Sequence, residues 1–316
     1  MRVIRRWAGP TTAVAALAVV IWRLGTGPFL DGLKAVDARA VLAVAAVVLV
    51  TTVASAWRWA IVARGLGVRL SFRPAVAAYY RAVFLNLTLP SGIAGDVHRG
   101  VIHGREVHDV GRALRAVVWE RAAGQVVQVV LTIAVLLALP SPVRSSMPFV
   151  VAALVGVALV LVVLGRMRWT AGRVRTAVLA DVRDGMLRRG ALPAVALTSV
   201  VVAAGHTTTF LIAARAAGVT APISRLLPLL LLALLATTLP NVGGWGPREG
   251  VTAWAFSVAG LGAARGAATA VTFGVLVLAA SLPGALVLVT DWLPRRHLPL
   301  TRRHGSLFRP EGAADA

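Results

Sequence analysis

The chain has no cysteine, so disulfides and thiolate metal sites are excluded. It is poor in acids, with 12 Asp and Glu against 33 Lys and Arg. It has no long polar tract. The longest polar stretch, 166–190, reads as a loop with a surface helix, and nothing else has the composition of a separate soluble domain. It also lacks a nucleophile elbow, a Walker loop and a dinucleotide fingerprint. Gly243–Gly250 has the glycines of a phosphate loop but neither its Lys-Ser/Thr nor a soluble strand before it. These absences argue against an enzyme, and no cofactor is expected.

What is present is apolar. Of 316 residues, 58% are hydrophobic, and mean hydropathy is +0.80. Several runs approach the ~20 apolar residues that cross a bilayer. The net charge of +21 is almost all Arg and sits in the short links between those runs. That is the bias of a cytoplasmic membrane face rather than of a nucleic-acid partner. The runs read as spans over 10–24, 38–57, 116–139, 149–164, 191–214 and 267–290, the last with Pro283 inside. The first, behind Arg2, Arg5 and Arg6, reads as a retained span; it ends in Trp22-Arg23 with no small-residue cleavage site behind it. Thr26–Asp37 reads as a loop. Trp57-Arg58-Trp59 suits the headgroup layer at the end of the second span, followed by a basic loop with Arg64, Arg69 and Arg73.

Two further apolar segments are too short to span and break at a proline. Pro74–Leu89 breaks at Pro90-Ser91-Gly92, and Leu226–Leu239 breaks at Pro240, with a helix restarting at Pro247. Leu85, Thr88, Leu89, Pro90 and Gly100 align without a gap on Leu235, Thr238, Leu239, Pro240 and Gly250. Broken segments at corresponding places in two halves point to a transport site. Read as re-entrant hairpins, they put Arg58–Arg73, Arg99–Arg115, Arg166–Arg189 and the basic tail on one side, the cytoplasmic one, with both termini. Three spans lie between the hairpins, an odd number, so they enter from opposite faces. The expected fold is an all-α integral membrane protein of about six transmembrane helices plus two re-entrant helical hairpins in an inverted repeat. It forms a single domain over 1–316, with halves at 36–140 and 191–290 and a cytoplasmic tail at 291–316, in a bacterial-type plasma membrane.

Irregular backbone in lipid is tolerated only where it is buried or lines a wet cavity. Pro90, Ser91, Gly92 and Gly95, and Pro240, Asn241, Gly243, Gly244 and Gly246, are therefore expected to face an interior. A loop between two interfacial helices is the plainer alternative. Of the acids, Asp96, Glu120 and Glu249 fall in the membrane region, with Arg81, Arg99, Arg121 and Arg248 as nearby cations and Asn86 on the first hairpin. Ionisable groups there are costly and usually paired or functional. Arg fits phosphate through bidentate hydrogen bonds. Asp or Glu fits charge balance or proton carriage. The alternative is a set of ion pairs that only lock the hairpins. The N-terminus of the helix at Pro247 is expected to favour a lipid phosphate. His98, His103 and His108 are spaced by five, which spreads them around a helix without a carboxylate to complete a metal site. His206, in mid-span, is expected to face other spans, with a relay role as an alternative.

The pattern N-x-x-x-P-S-G-x-x-G-D-x-x-R at Asn86–Arg99, the Glu120-Arg121 pair, and L-P-x-x-G-G-x-G-x-x-E at Leu239–Glu249 resemble the lysylphosphatidylglycerol synthase transmembrane region, a flippase-like family, over about 10–290. The resemblance implies a membrane protein that moves lipids or lipid-linked sugars between leaflets. The aminoacyl-transferase domain of bifunctional members is not in this sequence, so no synthase activity is carried over. The expected function is translocation of an anionic phospholipid or polyprenyl-linked lipid. The alternatives are a membrane subunit supporting a cell-envelope enzyme, which would be its protein partner, and an enzyme acting on a lipid-linked sugar.

Overall fold

The computed structural model describes residues 26–89, 92–139, 180, 181, 183, 185, 190–239, 241 and 245–292. Every element bounded among these is helical: α1 Gly27–Lys34, α2 Ala38–Gly65, α3 Phe72–Thr88, α4 Ala94–Glu106, α5 Val110–Ala138, α6 Ala191–Ala216, α7 Ile223–Ala236, α8 Pro247–Val258, α9 Ala263–Ala280 and α10 Leu282–Trp292. A few helical residues around Asp181 precede α6. Four stretches are long and apolar enough to cross a membrane: α2, α5, α6, and α9 with α10 as far as Thr290. At ~1.5 Å per residue, a 28-residue helix such as α2 exceeds the ~30 Å hydrocarbon layer. The expected spans 10–24 and 149–164 lie outside the described residues.

Local chemistry sets the boundaries. Asp37 caps α2 by accepting the Ala40 N–H at 2.7 Å, and Asp109 caps α5 by accepting the Arg112 N–H at 2.9 Å. Because Asp109 starts α5, that helix begins six residues before the expected span, and Arg112 and Arg115 lie on it rather than in a loop. Thr26–Asp37 is not a plain loop: a proline in the first turn starts α1 there. Likewise α2 runs on past Trp57 to Gly65, and Arg64 ends it, its Nε donating back to the Ala60 carbonyl at 3.3 Å. The helix expected from Pro74 starts at Phe72, and the last span breaks at Ser281, where Pro283 forces a restart.

The two halves pack alike. In each, the second arm of the broken pair (α4, α8) lies on its first arm (α3, α7) and on the following span (α5, α9). Each first arm leans on the preceding span, α3 on α2 and α7 on α6. Each also touches the other half, α3 against α10 and α7 against α5. Even the short leading elements correspond: α1 rests on α9, and Asp181 reaches Arg115 and Trp119 of α5. At the centre, α2 and α6 cross antiparallel, because Arg58 meets Ser199 while Thr51 and Val47 meet Gly205. Almost every residue of α7 from Leu226 to Ala236 is buried, as expected of a helix apolar all round. It forms the core with α2, α6, α8 and α9, where Phe210 and Phe273 stack at 4.5 Å.

Close backbone approach holds the hairpins. A Cβ on Gly95 of α4 would meet the backbone of Ala82 in α3, its Cα at 2.6 Å. Gly95→Ala should therefore destabilise the protein by about 1–3 kcal/mol, seen as a lower melting temperature in detergent. Gly27→Ala, where nothing lies within 4 Å of an added Cβ, should leave it unchanged.

Candidate functional site: a buried charge network and two touching tips

Glu120 of α5 has no solvent exposure, so its charge must be answered inside the protein. One oxygen, Oε1, accepts from Arg58 Nε at 2.9 Å and Nη2 at 2.5 Å, and from the Tyr79 hydroxyl at 3.3 Å. The other, Oε2, accepts from Arg99 Nη2 at 2.7 Å. Arg58 also donates through Nη1 to Ser199 Oγ of α6 at 3.0 Å. Arg99 turns its Nε to Asp96 Oδ1 at 3.0 Å. The Arg99 guanidinium lies between the rings of Trp59 and Tyr79, at 4.5 and 4.4 Å, where cation–π attraction adds to the ion pairs.

Asp96 links this core to the hairpin break. Its Oδ2 accepts from Arg121 Nη2 and from Asn86 Nδ2, the latter at 2.8 Å. Asn86 in turn accepts the Gly95 N–H at 2.8 Å, tying the end of α3 to the start of α4 across the break. Five helices, α2 to α6, thus meet in one network. Its charge does not cancel: Arg58, Arg99 and Arg121 carry three positive charges, and Glu120 and Asp96 two negative ones, leaving one positive. The open end is Arg121, whose side chain is 43% exposed while the other charged members are buried.

The second hairpin holds a smaller copy. Glu249 Oε1 accepts from Arg248 Nε at 3.0 Å and Nη2 at 2.5 Å. Arg248 lies over Phe273 at 4.9 Å and Trp245 at 5.5 Å. Glu249 Oε2 accepts the Gly246 N–H at 2.6 Å, at the N-terminus of α8. At the N-terminus expected to favour a lipid phosphate, the chain's own carboxylate thus already sits on one donor, the Gly246 N–H.

The tips of the two broken pairs touch. Gly92 has φ +66°, a conformation that favours glycine, and a Cβ there would lie 2.6 Å from Asn241 Oδ1. Asn241 closes its own turn by donating to the Thr237 and Leu239 carbonyls at 3.1 and 3.0 Å. Of the residues expected at the site, Asn86, Gly95, Asp96, Arg99, Glu120 and Arg121 converge in the first network, and Gly246, Arg248 and Glu249 in the second. Gly92 and Asn241 join the tips, and Arg81 is buried within α3. Pro90, Ser91, Pro240, Gly243 and Gly244 lie outside the described residues.

Sequence reading missed Arg58, Trp59, Tyr79, Ser199, Trp245 and Phe273. Trp57 is half exposed, as a headgroup residue would be, but Arg58 and Trp59 are buried at 4% and 1%. The signal was helix length: α2 carries Arg58 two turns inside its end rather than at it. Glu106 reaches His103, with Oε2 and Nδ1 3.3 Å apart, and His103 stands edge-on to Trp59. His103 thus backs the aromatic wall of Arg99.

Glu120→Gln leaves Arg58 and Arg99 sharing one neutral acceptor and should cost about 3–5 kcal/mol, read by thermal unfolding in detergent. Adding Arg58→Met should recover part of that loss, a coupling that a double-mutant cycle measures.

The sequence model of one family, described as the lysylphosphatidylglycerol synthase TM region, matches residues 6–284. No curated protein and no solved structure matches the chain.

Proposed function

Since the chain belongs to the lysylphosphatidylglycerol synthase TM-region family, an integral membrane family with a lipid-related role, we propose that it is a translocase moving an anionic phospholipid or polyprenyl-linked lipid between leaflets. The observation that carries this reading is the contact of Gly92 with Asn241, beside a network with one positive charge to spare. A headgroup is held near the tips by that charge, while its acyl chains stay in lipid. No chemical step is assigned to the chain.

The reading takes the two broken pairs as re-entrant hairpins. Arms of 14 and 12 residues, as in α7 and α8, reach only about 21 and 18 Å at 1.5 Å per residue, short of a ~30 Å hydrocarbon layer. The corresponding helices α2 and α6 cross antiparallel, which supports an inverted repeat. With the outlying spans included as expected, about six spans and the arginine bias favour both termini on the cytoplasmic side of a bacterial-type plasma membrane. Exchange of access between leaflets follows from rocking one half on the other around the tips.

The chain has no cysteine, so Gly92→Cys with Asn241→Cys introduces a unique pair. In vesicles, the reduced double variant should move a fluorescent phosphatidylglycerol between leaflets. Oxidation should form the crosslink and stop transport, and reductant should restore it. Crosslinked protein that transports at the reduced rate removes tip movement from the mechanism. Purified wild-type chain that moves no lipid alone favours the role of a subunit of a cell-envelope enzyme.

A further inference from the structure

His206 is exposed at a place where the fold predicts burial. Along α6, the buried residues Val195, Thr198, Ser199, Ala203, Thr209, Phe210 and Ala213 form one arc at 100° per residue. The exposed residues Leu197, Val200, Ala204 and Thr208 form the opposite arc. His206 falls in the middle of the buried arc, between Ala203 at 4% and Phe210 at 0%, yet it is exposed. A side chain on the inward face that remains accessible faces a cavity inside the bundle. A wet cavity is also what an uncapped imidazole in mid-span requires.

The charged groups that bear on His206 are Arg121, most strongly, and Arg58. Of the nearby acids, Glu120 is saturated by Arg58, Arg99 and Tyr79. Asp96 is saturated by Arg99, Arg121 and Asn86. Arg121 keeps donor capacity: of its guanidinium nitrogens Nη2 donates to Asp96, and its side chain is the exposed member of the network. Thus α5 carries a half-exposed guanidinium and α6 an accessible imidazole, beside a network with a single uncompensated positive charge among the described residues.

We infer that Arg121 and His206 form a binding site for a phosphate ester with one negative charge. Such a group neutralises the surplus, accepts from the free donor edge of Arg121, and accepts the imidazole N–H of His206. This rests on the translocase reading and deepens it, because it names Arg121 of α5 and His206 of α6 as the groups that take the headgroup drawn by the spare charge. A phosphodiester lipid headgroup has that charge. A soluble phosphodiester such as glycerophosphoglycerol shares the chemistry, and the two are separable.

The test is chemical footprinting of the full-length chain in detergent with diethyl pyrocarbonate, read by peptide mass spectrometry, with the exposed His108 as an internal control. His206 should be modified in lipid-free protein. Phosphatidylglycerol should slow its modification about tenfold, the scale of one charge-assisted hydrogen bond, and leave His108 unchanged. Diacylglycerol, which lacks the phosphate, should not protect. Arg121→Gln should abolish protection while His206 still reacts, and Arg121→Lys should restore part of it. The inference is overturned if His206 is inert while His108 reacts. It is overturned equally if diacylglycerol protects as well as phosphatidylglycerol, or if nothing protects. Protection by glycerophosphoglycerol alone keeps the phosphate site but assigns it a soluble ligand, which sinks the lipid reading. Protection by the lipid in a protein that moves none keeps the site and sinks the translocase.

Discussion

The fold turns on one buried carboxylate. Lipid tails are as apolar as leucine, so burying apolar surface between spans gives little drive for helices to associate. A charge without solvent, by contrast, leaves no freedom: its partners must be present or the structure fails. Glu120 therefore fixes where Arg58 of α2 and Arg99 of α4 lie, and Arg99 fixes Asp96. Asp96 in turn fixes Asn86 and the break between α3 and α4. The irregular backbone near Gly92 persists because this chain of pairings determines the arms on both sides of it.

The two halves share a packing plan but not a charge plan. A shift of 150 residues aligns Gly100 with Gly250 and sets Glu249 against Arg99. The same position in the second arm thus carries opposite signs. In both halves an arginine is clamped to an acid and faced by two aromatic rings, Trp59 and Tyr79 in one, Trp245 and Phe273 in the other. The second pair is neutral and closed by Gly246. The first keeps one positive charge and one open arginine. At low dielectric this asymmetry concentrates the attraction for an anion on the first half, which is where α6 presents His206.

Apolar run length was legible, and so were the proline breaks. Both are one-dimensional signals, and α2, α5, α6 and the α9–α10 stretch appear where hydropathy put them. Asp96, Glu120 and Glu249 stood out because a carboxylate in an apolar context is rare. Pairing was not legible. Asp96 and Arg121 are 25 residues apart, and Arg58 and Glu120 are 62 apart; only the fold brings them together. Arg58 escaped for a simpler reason. Flanked by Trp57 and Trp59, it carries the signature of a membrane boundary, and only the continuation of α2 to Gly65 places it two turns inside. The aromatic partners were hidden by their chemistry, since Tyr79 and Phe273 look like ordinary core residues until an arginine is found against them.

Where the strong pairings lie bears on motion. Among the described residues, the fully buried ion pairs join residues of the same half: Arg58, Asp96, Arg99 and Glu120 in the first, Arg248 and Glu249 in the second. Several contacts across the halves are of another kind. Arg58 donates one hydrogen bond to the Ser199 hydroxyl, Gly205 lies against Thr51, and Gly92 meets the Asn241 amide. The ion pair of Arg115 with Asp181, which also crosses, has an arginine 45% exposed to solvent and contributes little. Separating charges within a half would cost several kcal/mol each. Sliding neutral contacts between halves exchanges one hydrogen bond for another at about 1 kcal/mol. The proposed translocase, swinging two bodies about a fixed site, calls for that division, stiff inside each body and soft between them, and the ion pairs named here are distributed in keeping with it.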